Sequence, residues 1–436
     1  MCPRGPIAFI GLLFLTAASL LAGTAFERGE ALFENGLFPE AETAYLDALQ
    51  KNPKELRIST RLGMIALFSN RLDDSEKYLR RAAGPGPLQA VANNLLGEVF
   101  YRRDAFPEAA RRFRAGGSSY RAESLELFRD AAPYTISGPG DETRLKFVAT
   151  DPLPIVRVRV DDREAADFLI DTGGAEVQLD VDFAKRLNLT TVGATSATLL
   201  DGNQTEMRYS RIGSLTLGEF NVKNIPVGIR SLPVFAGRKL DGVLGTVLFY
   251  HFLATFDYPN GELILRRRPV QALQAFEKRA ESEKQIVMSF WMASDHVMVA
   301  RGRVNDAPPA LLFVATGLAS GFACPESTAE QAALSFNRQN SIVPVAARGV
   351  NMAPFVVNDL YLGDAHQQNV SALAGAFPPV LEYAYGFRIA GLISHQFFRP
   401  YAVTFDFIGM RIFLSVSSPR PINKKPIDLE SASIPH

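Results

Sequence analysis

Residues Phe168 to Val177 read FLIDTGGAEV: an apolar run delivers a carboxylate, Asp171, followed by a short hydroxyl, Thr172, and two glycines, Gly173 and Gly174. A carboxylate in such a loop can take a proton from water attacking an amide carbon, provided that a second carboxyl beside it protonates the carbonyl oxygen. Two carboxyls roughly 3 Å apart cannot both ionise cheaply, so their pKa values split and one acid and one base coexist. The glycines let a substrate backbone come close, and the hydroxyl can lock the loop to a neighbour. Asp-Thr-Gly alone also suits an ordinary turn. The decisive question is where a second carboxyl comes from.

The elements around Asp171 read as β-structure. From Val156 to Val160 apolar and basic residues alternate, which predicts a half-buried strand, and a turn at Asp161 to Arg163 leads into a second strand, Asp167 to Ile170, ending at the aspartate. Farther on, LDGVLGTVLFYHFLATF (Leu240 to Phe256) places Val243, Leu244 and Gly245 before a short helix. DYPNGELIL then reads as a hairpin turning at Pro259 to Gly261.

The remainder of the chain repeats this pattern. Asn305-Asp306 falls on Asp161-Asp162, and Ala315-Thr316-Gly317 falls on Asp171-Thr172-Gly173. Ala390 to Leu414 aligns without a gap on Asp241 to Leu265. Two departures lie at the chemical points: Ala315 replaces the aspartate, and Ser394 replaces Gly245.

In PIVRVRVDDREAADFLIDTGG, the flap-like TLLDGNQTEMRYSRIGSLTLGEF, VKNIPVGI and DGVLGTVLFYHFLATFDYPNGELIL, the chain resembles the retropepsin-like aspartic proteases over about residues 150–268. The resemblance implies a β-rich lobe in which Asp171 is catalytic, Thr172 braces the active-site loop, Gly173 and Gly174 make room for the peptide, and Asp201 to Gln204 lie near or in the flap. Ala315, Thr316 and Gly317 are the degenerate counterpart. Two assemblies follow. Pairing of the lobes within one chain sets Asp171 opposite Ala315 and implies a pseudoprotease that binds a peptide or protein. A homodimer through the first lobe brings two copies of Asp171 together and implies an aspartic-type endopeptidase. Family resemblance tips the expectation toward the endopeptidase, with the binding module as the alternative and an inert scaffold as a third class.

Ahead of these lobes a fixed period of 34 relates Gly29, Gly63 and Gly97, Tyr45, Leu79 and Phe113, and Phe38, Leu72 and Phe106. Glycine or alanine at tight crossings with large apolar residues between them marks stacked helix pairs. Residues 26–117 resemble tetratricopeptide repeats, and Tyr120 to Asp130 suits a closing helix. Such arrays commonly hold a peptide or a protein partner, or only support the neighbouring domain. The fold class expected is multidomain: an α-helical tetratricopeptide-like array followed by two mainly-β retropepsin-like lobes. Its parts are a signal peptide (1–25), repeats (26–135), a lobe with Asp-Thr-Gly (142–268) after the SGPGD linker, a helical linker (269–285), a degenerate lobe (286–416) and a flexible tail (417–436).

Composition narrows the partners. The 46 basic residues balance the 46 acidic ones, so the surplus that nucleic acid binding demands is lacking. MCPRGP followed by IAFIGLLFLTAASLLAG reads as an export signal cleaved after Ala25, with an uncleaved anchor as the alternative. Its removal leaves Cys324 alone, so no intrachain disulfide forms, which suits a periplasmic or secreted protein. His251, His296, His366 and His395 are scattered without ligand spacing, so neither a metal nor another cofactor is expected. Ser394-His395 falls on the Gly245-Thr246 positions and reads as structural.

Overall fold

A computed structural model describes residues 24–163, 165–198, 204–234, 237–334, 342–345, 348–375 and 379–416. Residues 1–23 of the expected export signal (1–25), Asp201 to Asn203 of the loop expected near or in the flap, and the expected tail (417–436) lie outside the described residues, whereas Gln204 begins the strand Gln204–Leu217.

The 34-residue period is a packing rule. Helices Ala25–Glu34 and Phe38–Lys51, Leu56–Phe68 and Leu72–Leu79, and Gln89–Arg102 and Phe106–Ala115 form three antiparallel pairs. In each pair the glycine faces the large residue 16 positions later: a Cβ on Gly29 would lie 2.6 Å from the Tyr45 ring, on Gly63 2.6 Å from Leu79, and on Gly97 2.5 Å from Phe113. Only glycine permits such crossings. The helix Ser119–Glu126 follows the last pair. Among the described residues no helix is long and apolar enough to cross a membrane.

Each lobe has the same plan. In the first, strands Ile155–Val160 and Ala165–Ile170 are antiparallel, and the latter runs parallel to Gly242–Leu244, so that Asp171 emerges between two strand ends. In the second, Met298–Val304 and Ala310–Val314 are antiparallel, and Ala310–Val314 runs parallel to Ile389–Ile393. The amide of Asp171 donates to Leu244 O at 3.1 Å, and that of Ala315 to Ile393 O at 3.0 Å, so the loops have equivalent backbone settings. The expected hairpin at Pro259 to Gly261 joins Leu253–Asp257 to Glu262–Arg266, with Gly261 at φ +62°. The expected linker helix spans Val270–Ser282.

A six-stranded antiparallel sheet unites the lobes. Its order is Glu142–Ala149, Glu262–Arg266, Leu253–Asp257, Tyr401–Asp406, Arg411–Val416 and Ile286–Met292. At its centre Thr255 pairs with Thr404, hydroxyl to hydroxyl at 2.7 Å. The lobes therefore pair within one chain. Of the two assemblies expected, this single chain forms the one in which lobe two stands against lobe one.

One feature differs from the domain reading. Ser137, placed in the linker from sequence, ends a short strand, Thr135–Ser137, that pairs with Phe220–Arg230. The repeats thus join lobe one through a strand as well as by packing. Phe33, Phe38 and Phe68 surround Phe387 of lobe two at ring-centroid distances of 6.1, 5.1 and 5.8 Å, and Tyr120 stacks on Tyr209 of lobe one at 5.5 Å.

Arg102 ties the array to lobe two. Buried, it donates to Leu67 O at 2.6 Å within the repeats and to Met292 O and Ala293 O at 2.7 and 2.9 Å. Leu67 O also accepts from the Asn70 amide at 3.0 Å, but bonds from a charged donor are each worth about 1.5–3 kcal/mol. Arg102→Met is therefore expected to lower stability by about 3 kcal/mol and to separate the unfolding of repeats and lobes in a urea titration followed by circular dichroism and tryptophan fluorescence, Trp291 lying against Phe38 at 5.3 Å.

Candidate active site

Two threonines lock the loops. The Thr172 amide donates to Thr316 Oγ1 at 3.1 Å and the Thr316 amide to Thr172 Oγ1 at 3.2 Å. In turn Thr172 Oγ1 donates to Val314 O at 2.9 Å, and Thr316 Oγ1 to Ile170 O at 3.0 Å. Each hydroxyl thereby donates once and accepts once, with its side chain about 1% exposed. Thr172 and Thr316 thus stand opposite one another in this lock.

This lock fixes what faces Asp171. Its half-buried carboxylate accepts at Oδ1 from the amide of Gly173 at 2.7 Å and from the amide of Gly317 at 3.0 Å. The first bond is the loop's own contact, from the residue two positions ahead. In lobe two the corresponding donor is Gly317, whose own loop offers only the Ala315 methyl, and it turns to Asp171 instead. A Cβ on Gly173 would lie 2.9 Å from that methyl, and one on Gly317 2.2 Å from the Asp171 carboxyl carbon, so both glycines are set by close approach. Burial pushes the Asp171 carboxyl above its usual range, while the amides of Gly173 and Gly317 and the charge of Arg230 hold it down.

Around Asp171 a cleft of about 330 Å³ is lined by Gly174, Glu176 and Gln178 of lobe one, Met207 of the flap hairpin, and Phe313, Leu318 and Tyr385 of lobe two. Arg230 also lines it, its Nε donating to Gln178 Oε1 at 2.6 Å. Glu176 lies in the quoted FLIDTGGAEV stretch, but a lone carboxylate there carried no distinguishing signal. Arg230 ends VKNIPVGIR, and only the parallel pairing of its strand with Val177–Asp180 brings it to the cleft.

Glu176 is pushed up to about 7, first by burial and further by the charges of Asp295 and Glu98, with Arg121 opposing. Asp295 also lines this cleft.

The departures and discarded candidates also have physical positions. Gly245 is required because a Cβ there would lie 2.3 Å from Glu176 O. Its counterpart Ser394 instead donates its hydroxyl to Leu318 O at 2.6 Å, so the facing loop stands farther off. His395 lies 3.3 Å from Ser394 Oγ, but burial lowers its pKa to about 4. The pair is part of the core. Cys324 is buried, its thiol pushed up to about 12. Among the described residues no three His, Cys, Asp or Glu side chains converge as for a metal ion.

Residues 156–248 match the aspartyl protease family, and residues 60–119 match a tetratricopeptide repeat family. Among solved structures, the chain is similar to the crystal structure of Basic 7S globulin from soybean, at 13% identity over 66% of this chain and 96% of that one, with a TM-score of 0.37. It is also similar to a retropepsin-like aspartic protease from Rickettsia conorii, at 18% identity over 31% of this chain and 94% of that one, with a TM-score of 0.21. No curated protein matches it. Helical repeats of the tetratricopeptide kind thus precede a retropepsin-like region.

Two measurements probe this site. Thr316→Val keeps the shape but leaves the Thr172 amide without its acceptor and Ile170 O without its donor, and should cost about 2–4 kcal/mol in urea denaturation. The raised pKa of Glu176 means that the native state keeps a proton between the ordinary carboxylate range and about 7 that the unfolded chain has released. Stability should therefore fall as pH rises through that window. Glu176→Gln, which cannot ionise, should hold stability more level between pH 5 and 8 than the wild-type chain, measured by denaturation at each pH.

Proposed function

We propose that this chain binds an extended peptide segment between its two lobes, as an aspartic-protease-like module whose catalytic pair is incomplete. The observation that carries this reading is the Thr172–Thr316 lock, which puts Ala315 and the Gly317 amide where a second carboxyl would have to stand. Amide hydrolysis by this fold needs an acid and a base at once. A single carboxylate can hold or activate water but cannot also protonate the carbonyl oxygen, and losing one partner costs on the order of 10² to 10⁴ in rate. What remains suits binding: Asp171 as an acceptor, Arg230 and Gln178 as polar anchors, and Phe313, Leu318 and Met207 as apolar walls.

A second reading, an aspartic endopeptidase, is favoured by the intact Asp171-Thr172-Gly173-Gly174 loop and by the upward shift of the Asp171 pKa. The readings separate in one experiment. Wild-type, Asp171→Asn and Ala315→Asp proteins are incubated with a mixed peptide library at pH 4–7, and the molar mass of each is measured in solution. A binding module leaves the library intact as wild type, whereas Ala315→Asp restores the paired carboxyls and gains acid cleavage by about 10² or more. Wild-type cleavage that disappears in Asp171→Asn would establish the endopeptidase.

Export is part of the same proposal, supported by the apolar stretch from Ile7. The Thr24 hydroxyl caps the helix Ala25–Glu34 and the Glu27 side chain returns the bond, so cleavage nearer Ala22 would keep a cap that cleavage after Ala25 removes. The N-terminal residue of the mature protein in a cell-fractionation experiment tests both location and cut.

A further inference from the structure

Beside the cleft lies a second space. Asp295 and Tyr385, which line the cleft, also line a cavity of about 630 Å³ whose other wall is built by the helical repeats, with Phe26, Arg57, Met64 and Val91 on it. That wall comes from the first helix of each of the three pairs.

Asp295 is held at the junction by a built turn. Strands Ile286–Met292 and Met298–Val304 are joined through Ser294 to Val297, with Asp295 at φ +55° and His296 at φ +56°. Two successive left-handed residues make the tight hairpin turn whose twist suits the strands, and aspartate tolerates the first position well. His296 turns inward, buried against Tyr101 and Tyr250 at 5.7 and 5.8 Å. Arg102 fastens the strand end from the repeats. With the turn fixed, the Asp295 side chain keeps 58% of its exposure, at 3.3 Å from Arg121 of the closing helix.

Asp295 carries the most exposed charge of this cluster. Arg121 is bonded to Glu98, both being largely buried, and Arg102 also acts on Asp295, so two guanidiniums face Glu98, Asp295 and, on the cleft side, Glu176, and of these Asp295 is the carboxylate open to a ligand. A cationic side chain placed there gains where an anionic one loses. Farther along the repeat cavity, Arg61 is held by both oxygens of Glu30 at 2.8 and 2.7 Å, and Arg57 by Glu55 at 3.2 Å. Their charges are already compensated, which leaves the apolar stems and Phe26, Met64 and Val91 for contact.

We infer that a peptide bound in the cleft runs on past Asp295 into the cavity of the repeats and carries a lysine or arginine at the junction, so that lobes and repeats read one continuous ligand. This rests on the peptide-binding reading of the cleft. It also joins the two expectations held for the repeats: they support the lobes and they contact the ligand.

The test selects binders to the full-length protein from a random library of 12-residue peptides, then measures affinities of intact and halved peptides by fluorescence anisotropy. Basic residues should be enriched at one position. Asp295→Asn should weaken such peptides by about tenfold, the scale of one charge-assisted hydrogen bond, and leave Lys→Gln versions of them unchanged. Val91→Glu, at a site 47% exposed and thus tolerant in the fold, should weaken the intact peptide and not the half that fills the cleft. Thermal melts of both variants establish that they fold. Full affinity in a half peptide together with an inert Val91→Glu would overturn the inference and leave the cleft reading standing. Absence of any binder would overturn both.

Discussion

The lobes of this protein are organised by a reciprocal pair of threonines. A hydroxyl can donate and accept at once, so Thr172 and Thr316 each close a bond to the other loop's amide and to the other lobe's strand end. Buried polar groups of this kind are worth little beyond one another and costly when orphaned. Neither loop can satisfy itself, and each is complete only against a partner of the same design. The duplicated lobe supplies that partner within the chain, and the tether raises its local concentration above that of any second copy. The assembly that would pair two copies of Asp171 must first displace lobe two from this lock and from the six-stranded sheet behind it.

The repeats extend the same logic of mutual completion. Their crossings are closed by Gly29, Gly63 and Gly97, but their outer ends are finished by the lobes: Phe33, Phe38 and Phe68 by Phe387, and Asn70 by the carbonyl of Phe407 at 3.0 Å. In return Arg102 and Arg121 hold the turn that carries Asp295. A three-repeat array has little core of its own, and this one borrows a wall from its neighbour. The repeats and the lobes share one apolar core, which makes their relative placement a property of packing.

Local chemistry was legible in the sequence and tertiary convergence was not. The 34-residue period named the glycines at the crossings because each sits within one helix pair, 16 residues from the side chain it admits. The alignment of Ala315-Thr316-Gly317 on Asp171-Thr172-Gly173 identified both loops, since a duplicated backbone repeats its sequence signs. Glu176, Arg230, Tyr385 and Asp295 escaped because their meeting depends on strand pairings and on an interface between parts far apart in the chain. The Ser294 to Val297 turn has no Asn-Gly or Asp-Gly sign; its left-handed residues are Asp295 and His296, the second tolerated because its ring is packed on two tyrosines. Ser137 was read as linker because a three-residue strand leaves no period to detect.

The loss of one carboxyl changes the remaining one. In a paired site, like charges at short range would force Asp171 and its partner to share a proton. Here the partner position is a methyl, and the Gly317 amide that would have served the lost carboxylate strengthens the acceptor role of Asp171. Two amides and the field of Arg230 favour the anion, burial disfavours it, and burial prevails by direction. Asp171 is thus a fixed acceptor whose affinity for a proton is set by the cleft's exclusion of water. A peptide lying over it would exclude more water and raise that affinity further, so ligand and proton would be taken up together. That coupling follows from a single carboxyl held by the opposite loop, and a symmetric pair would divide it between two groups.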